Sequence, residues 1–143
     1  MLLNIKSLLF LLVFSFLACS QTDKKTESNN SDTSEQYEFK EINVAEFKEL
    51  LDKGDAVLVD VREPSEFAED YIENAVNLPA YTIGKTWKSK MNVEKDKVIL
   101  TYCLSGYRSG VASEELINMG YKNVYSLKGG ISAWKASNLP VVK

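Results

Sequence analysis

The chain has 143 residues, enough for one compact domain. Hydrophobic residues make up 45% and charged residues 26%, which is typical of a soluble protein. The net charge is −3 and no basic stripe with interleaved aromatics occurs, so nucleic acid is excluded as an expected partner. The chain has two cysteines and no histidine. We therefore expect neither a metal nor a cofactor, and any nucleophilic cysteine must be activated without imidazole.

The first residues have the pattern of an export signal. Lys6 precedes an apolar run over residues 8–17, which has the length of a signal-peptide core and is too short to span a membrane. The sequence FLAC at residues 16–19 resembles a bacterial lipobox, whose cysteine is lipidated and becomes the first mature residue. We predict a signal peptide over residues 1–18, lipidation of Cys19, and export to the bacterial cell envelope with a lipid anchor in the periplasm or outer membrane. An ordinary cleaved signal peptide is the alternative.

A polar tether is predicted to follow over residues 19–36. From Ser20 onward this stretch has no aliphatic or aromatic residue, so it cannot bury apolar surface and is expected to be disordered. Residues 37–143 have a globular pattern and are assigned to one domain. If Cys19 carries lipid, Cys103 is the one thiol of the mature chain, and no internal disulfide can form.

Strands and helices are predicted to alternate along this domain. In chain order they are a strand over 39–42, a helix over 44–52 capped by Asn43, a strand over 56–61, a short helix begun by Pro64, a short strand over 75–78, a helix over 81–91, a strand over 97–102, a helix over 109–119, a strand over 124–127 and a helix over 131–136. The helix over 109–119 is expected to bury Val111, Ala112, Leu116 and Ile117. This alternation predicts an α/β fold with a mostly parallel central sheet and helices on both faces.

Cys103 directly follows the strand over 97–102 and stands close before a helix. Ligands of open α/β sheets bind beyond the carboxyl ends of strands. Gly106 permits a tight turn that aims N–H groups at the sulfur, the helix start adds positive potential, and Arg108 adds a permanent cation. These features would lower the pKa of the thiol, so we predict Cys103 as a nucleophile rather than a small buried hydrophobe. The predicted anion-binding loop comprises Leu104, Ser105, Gly106, Tyr107, Arg108 and Ser109.

Three motifs resemble the rhodanese family of sulfurtransferases. The family's active-site pattern Cys-x-x-Gly-x-Arg-Ser is met by residues 103–109. A second pattern, Asp-Val-Arg followed by Glu-Phe, is met at residues 60–62 and 66–67. Residues 70–79 follow the family's stretch Gly-His-Ile-x-Gly-Ala, then Asn-x-Pro, with three departures. The departures are Asp70, Tyr71 and Asn74. The resemblance covers residues 39–142, nearly all of the predicted domain.

The resemblance implies a single rhodanese-like α/β domain that transfers sulfur by double displacement. Cys103 would take a sulfane sulfur from a donor such as thiosulfate, a polysulfide or a persulfide. The resulting persulfide would pass this sulfur to a thiol, sulfite or cyanide acceptor. Asp60 and Arg62 are interpreted as supports of the active-site loop, with Glu66 a candidate partner of Arg62. A conventional surface ion pair is the alternative for Asp60 and Arg62.

Loop length separates this chemistry from a related one. Phosphatases and arsenate reductases of similar fold carry Cys-x5-Arg, whereas four residues separate Cys103 from Arg108. The smaller loop suits a single sulfur better than a tetrahedral oxyanion, so phosphatase or arsenate reductase activity is the weaker enzymatic interpretation. Many family members have a basic residue where Leu104 stands, so thiosulfate is expected to be a poor donor. A persulfide that is apolar or borne by a partner protein is then a candidate. Tyr81 and Trp87 are candidates to line the pocket, although residues of their type are more often core or edge residues.

Two interpretations of other classes remain open at this point. One is a rhodanese-fold binding or signalling module without turnover. The other is a redox protein that exchanges disulfides, a role that usually requires a second, resolving cysteine. The expected partners are small sulfur compounds and, through the N-terminal lipid, a membrane; we expect a monomer.

Overall fold

The computed structural model describes residues 36–143. The predicted signal peptide, the lipobox cysteine and all but the last residue of the predicted tether lie outside the described residues. The strands are β1 (Lys40–Ile42), β2 (Val57–Asp60), β3 (Val76–Asn77), β4 (Val98–Tyr102) and β5 (Asn123–Leu127). The helices are α1 (Val44–Asp52), α2 (Pro64–Glu69), α3 (Ile83–Lys90), α4 (Tyr107–Asn118) and α5 (Gly130–Ala136), with a 3₁₀ turn at Ala80–Thr82. No helix among these residues is long and apolar enough to cross a membrane.

The sheet has five strands in the order β1-β5-β4-β2-β3, and every neighbouring pair is parallel. The predicted α/β fold with a parallel sheet is therefore confirmed. In the register of β2 and β4, Asp60 lies opposite Tyr102. The carboxyl ends of these two strands thus meet at one edge of the sheet, directly before Cys103.

Two apolar clusters cover the two faces of the sheet. Because alternate residues of a strand point to opposite faces, the neighbours Leu58 and Val59 enter different clusters. On one face, α3 and α4 bury Ile83, Trp87, Ala112 and Leu116. On the other face, α1 and α5 bury Phe47, Ile131 and Trp134. Of the two interpretations of Trp87, a pocket residue or a core residue, the structure has the second, since Trp87 is fully buried in the core.

Helix α4 differs from its prediction in two respects. It begins at Tyr107, because Gly106 adopts a left-handed backbone with φ of 107° and lets the chain turn directly into the helix. Tyr107, Arg108 and Ser109 therefore form the first helical turn instead of a loop. The predicted burial of Val111 was also wrong, since 51% of that residue is exposed. Ser109 and Ser113 are buried on the helix face that packs on the sheet, because their hydroxyls find partners there.

The three departures from the family stretch fit the backbone without breaking it. Asn74 stands where the family has glycine and adopts a φ of 67°, a conformation that asparagine tolerates better than most residues. Tyr71 stacks on Phe67 with ring centroids 4.2 Å apart, and its main chain exchanges two hydrogen bonds with Val142. Asp70 forms ion pairs described below. The segment before β3 is therefore stabilised by the contacts of Tyr71 and Asp70 although its sequence departs from the family pattern.

Candidate active site

Helix α5 holds the backbone that follows Cys103. The N–H groups of Ile131 and Ser132 donate to the carbonyls of Cys103 and Leu104 at 2.8 and 3.2 Å. Gly130 makes this approach feasible, because a Cβ there would lie 2.4 Å from the Cys103 carbonyl oxygen. In a trans peptide the N–H points opposite to the C=O. The amides that follow these two carbonyls therefore point away from α5, and that of Ser105 bonds the Cys103 sulfur.

The Cys103 sulfur lies at the bottom of a ring of hydrogen-bond donors. The Gly106 N–H donates to Sγ at 3.1 Å. Cys103 is only 1% exposed, and this burial raises the pKa of its thiol. The N–H groups of Ser109, Gly106 and Ser105 and the Ser109 hydroxyl act in the opposite direction and prevail, so the pKa of the thiol is lowered. The site therefore favours an anionic sulfur without any imidazole.

Ser109 connects this ring to the sheet. Its hydroxyl donates to the Gly106 carbonyl at 2.9 Å and accepts from the Ser126 hydroxyl of β5 at 2.8 Å. Both serines are fully buried. The first turn of α4 is thus fixed against β5, which explains why a small hydroxyl residue occupies this buried position.

Arg108 is held by an acidic residue of a separate helix. Its Nη1 and Nη2 donate to the two carboxylate oxygens of Glu66 on α2 at 2.6 and 2.8 Å. The hydrogen bond with Arg108 lowers the pKa of Glu66 to about 2, and burial opposes this shift. The pKa of Arg108 is raised, first by Glu66 and to a smaller extent by the charge and a hydrogen bond of the Cys103 sulfur. The guanidinium therefore lies between the sulfur and a carboxylate.

The predicted pairing of Glu66 with Arg62 was wrong. Arg62 turns inward and pairs with Asp60, which accepts from its Nε at 3.0 and 3.1 Å and from its Nη2 at 2.7 Å. Arg62 also contacts Asp70 through the carbonyl and, at 3.4 Å, the carboxylate. The side chains of Arg62 and Asp60 are 4% and 0% exposed, which excludes a surface ion pair. Asn77 closes the group by donating to the carbonyls of Asp60 and Arg62.

Tyr102, which none of the sequence motifs singles out, joins this buried ion pair to the strand that carries Cys103. Its hydroxyl accepts from the Ile72 N–H at 3.0 Å and hydrogen-bonds Asp60. Burial, followed by the Asp60 charge, raises the pKa of Tyr102. The alternation of β4 was the available signal, because it points Tyr102 and Cys103 to opposite faces of the sheet. Asp60 and Arg62 therefore contact Tyr102 on the face of the sheet opposite the thiol.

Exposed apolar side chains stand at and beyond the rim of the loop. Leu104 is 47% exposed and Tyr107 is 80% exposed. Val111 lies one turn after Tyr107 on α4, and with Tyr81, which is 71% exposed, it lines a cavity of about 390 Å³. Within residues 36–143, no group of three or more Cys, Asp or Glu side chains is placed to hold a metal ion. The arrangement can hold one negatively charged sulfur, and the exposed apolar side chains of Leu104 and Tyr107 stand within its loop and at the start of α4.

Comparison with known proteins identifies the family. The rhodanese-like domain family matches residues 43–137. The thiosulfate sulfurtransferase GlpE of Coxiella burnetii is 37% identical over 98 residues, which are 68% of this chain and 89% of that protein. A sulfurtransferase of Allochromatium vinosum is 40% identical over 93 residues, which are 65% of this chain and 84% of that protein.

Solved structures agree with this assignment. A rhodanese-related protein of Thermoplasma volcanium has a TM-score of 0.64 and 34% identity, and the match covers 73% of this chain and 98% of that one. The human single-domain sulfurtransferase, at 23% identity and a TM-score of 0.60, shares the fold. The fold, the family match and the named relatives lead to one conclusion: the chain belongs to the rhodanese-like domain family, and it is a sulfurtransferase.

Proposed function

We propose that Cys103 carries the transferred sulfur as a persulfide, and that the groups donating to Sγ hold its negative charge. The Cys103 thiolate attacks the sulfane sulfur of a donor, the bond from that sulfur to the donor breaks, and the leaving group keeps the electron pair. With thiosulfate the products are the Cys103 persulfide anion and sulfite. An acceptor such as cyanide then attacks the outer sulfur, which gives thiocyanate and restores the thiolate. The observation that carries this proposal is the ring of N–H groups around a buried sulfur.

The same geometry favours sulfur over phosphate. A phosphate dianion gains less from an arginine whose charge is already paired, and both terminal nitrogens of Arg108 donate to Glu66. Only Leu104, Ser105 and Gly106 separate Cys103 from the helix, which leaves a small loop. This supports a single sulfur as the group that the loop holds.

The test is mass spectrometry of the purified domain after incubation with thiosulfate, a polysulfide or a thiol persulfide. We expect a gain of one sulfur atom and its release as thiocyanate on addition of cyanide. Cys103→Ser should abolish both. A folded protein that binds partners but gains no sulfur from any sulfane donor would instead be a binding module. Formation of a disulfide-linked dimer in place of the persulfide would support a redox role.

We further propose that the physiological donor is an apolar or protein-borne persulfide. The support is the apolar rim, in which Leu104 stands beside Cys103 and the exposed Tyr107 and Val111 follow along one face of α4. Because a hydrated dianion gains little from such a rim, we expect a lower kcat/KM for thiosulfate than for an alkyl persulfide. Steady-state kinetics across the three donor classes measures this order. A higher kcat/KM for thiosulfate would contradict it.

The N-terminal sequence supports a place in the cell envelope. We propose that Cys19 is lipidated and that the domain is tethered to a membrane by residues 19–36. Labelling with radioactive palmitate in a bacterial host should mark the full chain in the membrane fraction. Cys19→Ala should remove the label and release the protein, and an unmutated chain found free of label and of membranes would refute the anchor.

A further inference from the structure

Glu66 pairs with Arg108 at the site, although the sulfur-transfer reaction itself does not require this carboxylate. We propose that Glu66 sets the donor preference of the enzyme by neutralising Arg108, so that the site disfavours doubly charged thiosulfate relative to singly charged sulfane donors. This inference rests on the proposed role of Cys103 as sulfur carrier. It makes Glu66 a specificity-determining residue that acts through another side chain.

The ion pair is built to stay formed. Both terminal nitrogens of Arg108 donate to Glu66, one to each carboxylate oxygen, at 2.6 and 2.8 Å. The carboxylate is also fixed from its own helix, because Oε2 accepts the Glu63 N–H at 3.1 Å. The two side chains are 32% and 28% exposed, so water screens the pair only in part. A donor would therefore meet Arg108 as half of a neutral pair and not as a free cation.

The effect of this neutralisation on an approaching donor depends on the other charges around the sulfur. Arg108 is the one cationic side chain in residues 103–109. The residue next to the nucleophile is the uncharged Leu104. With Arg108 offset by Glu66, the guanidinium compensates the negative charge of the attacking thiolate less than a free cation would, and neutral N–H groups supply the other stabilisation. Coulomb repulsion is proportional to the charge of the approaching donor. A dianion is therefore disfavoured about twice as strongly, in free energy, as a monoanion of similar shape.

Two donors isolate this charge effect. Thiosulfate reacts with the thiolate to give the persulfide anion and sulfite. Charge is conserved, because sulfite keeps both negative charges of thiosulfate and the persulfide keeps that of the thiolate. Methanethiosulfonate reacts in the same way to give the persulfide anion and methanesulfinate, and it carries one negative charge fewer because a methyl group replaces an oxyanion. Both reactions produce the same persulfide, so cyanide release is common to them. The ratio of the two kcat/KM values therefore cancels changes in the thiolate itself.

The experiment compares this ratio in wild type, Glu66→Gln and Glu66→Asp. Glu66→Gln keeps the shape but removes the charge, and we expect the ratio of thiosulfate to methanethiosulfonate to rise about threefold. Glu66→Asp keeps the charge and should stay near the wild-type ratio. Glu69→Gln is the matched control, because it removes the same charge from an exposed position of the same helix and should leave the ratio unchanged.

Ionic strength supplies a measurement that needs no variant. In wild type the ratio should rise with salt, because screening relieves the repulsion of the dianion more than that of the monoanion. In Glu66→Gln this dependence should be weaker. An unchanged ratio in Glu66→Gln, an equal loss with both donors, or a wild-type ratio independent of salt would overturn the inference. Failure of the proposed function is distinguishable, since wild type would then form no persulfide from either donor.

Discussion

At the scale of single residues, the site solves the problem of activating a thiol without histidine. Burial alone would raise the pKa of Cys103 and keep the sulfur protonated. The main-chain N–H groups of Ser105, Gly106 and Ser109 reverse that effect because they bond the charged form. Such donors bind a thiolate and a persulfide anion alike and release no proton when the sulfur is exchanged. The same groups therefore serve both halves of a double displacement.

Ser109→Ala tests the contribution of the Ser109 hydroxyl to the lowered pKa of the Cys103 thiol. The Ser109 hydroxyl donates to the Gly106 carbonyl and helps to lower the pKa of the Cys103 thiol, so we expect its loss to raise that pKa by about one unit. The pH dependence of alkylation by iodoacetamide measures that pKa. Ser113→Ala is the control, because Ser113 is equally buried on α4 but bonds Thr101 and not the sulfur. Equal shifts in the two variants would show that packing, not the hydroxyl, controls the thiol.

Asp60→Asn tests the buried ion pair behind the site. The change leaves the Arg62 guanidinium, whose side chain is 4% exposed, without its main counter-charge. We expect a loss of about 3 kcal/mol in the free energy of unfolding, measured with urea. Asp55→Asn removes the partner of Lys97 from an aspartate side chain that is 81% exposed, and it should cost at most about 1 kcal/mol. Similar losses for the two variants would mean that Asp70 already compensates Arg62.

At the scale of elements, helix α5 determines the shape of the loop from outside it. Its first N–H groups take the carbonyls of Cys103 and Leu104, and Gly130 gives them room to do so. The loop is therefore not an independent anion nest; it depends on a helix more than twenty residues further along the chain. A substitution that disrupts these hydrogen bonds should therefore displace the loop around the Cys103 sulfur and slow sulfur transfer, although no reacting group is changed.

Gly130→Ala tests this dependence. The new Cβ would lie 2.4 Å from the Cys103 carbonyl oxygen and 2.6 Å from Leu104 main-chain atoms, so the loop must move. We expect sulfur transfer to fall about tenfold or more, as for the loss of an oxyanion donor. Gly54→Ala is the matched control: its φ of 74° gives comparable backbone strain, but no atom lies within 4 Å. Equal stability but unequal persulfide formation in the two variants would locate the effect in the loop, and equal activity would contradict it.

The elements also show what the sequence could and could not predict. The alternation of strands and helices, the tight turn at Gly106 and the position of Cys103 directly after a strand follow from local patterns, and the structure has them. The partner of Arg108 did not follow, because Glu66 is 42 residues away and local patterns do not reveal which distant carboxylate the fold brings to the guanidinium. The exposure of Val111 was missed for a related reason. The inner face of α4 carries the buried hydroxyls of Ser109 and Ser113. A pattern of hydrophobic residues alone does not predict that these polar residues are buried and that Val111 is exposed.

At the scale of the whole molecule, carboxylates control the response to acid. The chain has no histidine, so no imidazole titrates between neutral pH and the carboxylate range. The pKa of Glu66 is about 2 in the folded state against an ordinary value of 4.5, and the pKa of Asp70 is also lowered, first by its hydrogen bond with Lys135. A depressed carboxylate pKa contributes stability above the unfolded value. That stability is lost as pH falls through the folded value.

We therefore expect the free energy of unfolding to fall steeply between about pH 4.5 and pH 2, with Glu66 contributing on the order of 1 kcal/mol because its ion pair is partly solvated. Urea unfolding at closely spaced pH values measures this slope. Glu66→Gln should be less stable than wild type near pH 6 and approach it as the pH falls through about 2, because the Glu66 carboxylate is progressively protonated there. Glu69→Gln should parallel wild type throughout. If Glu66→Gln also runs parallel to wild type, the pair with Arg108 does not form in solution, and the donor preference proposed for it loses its physical basis as well.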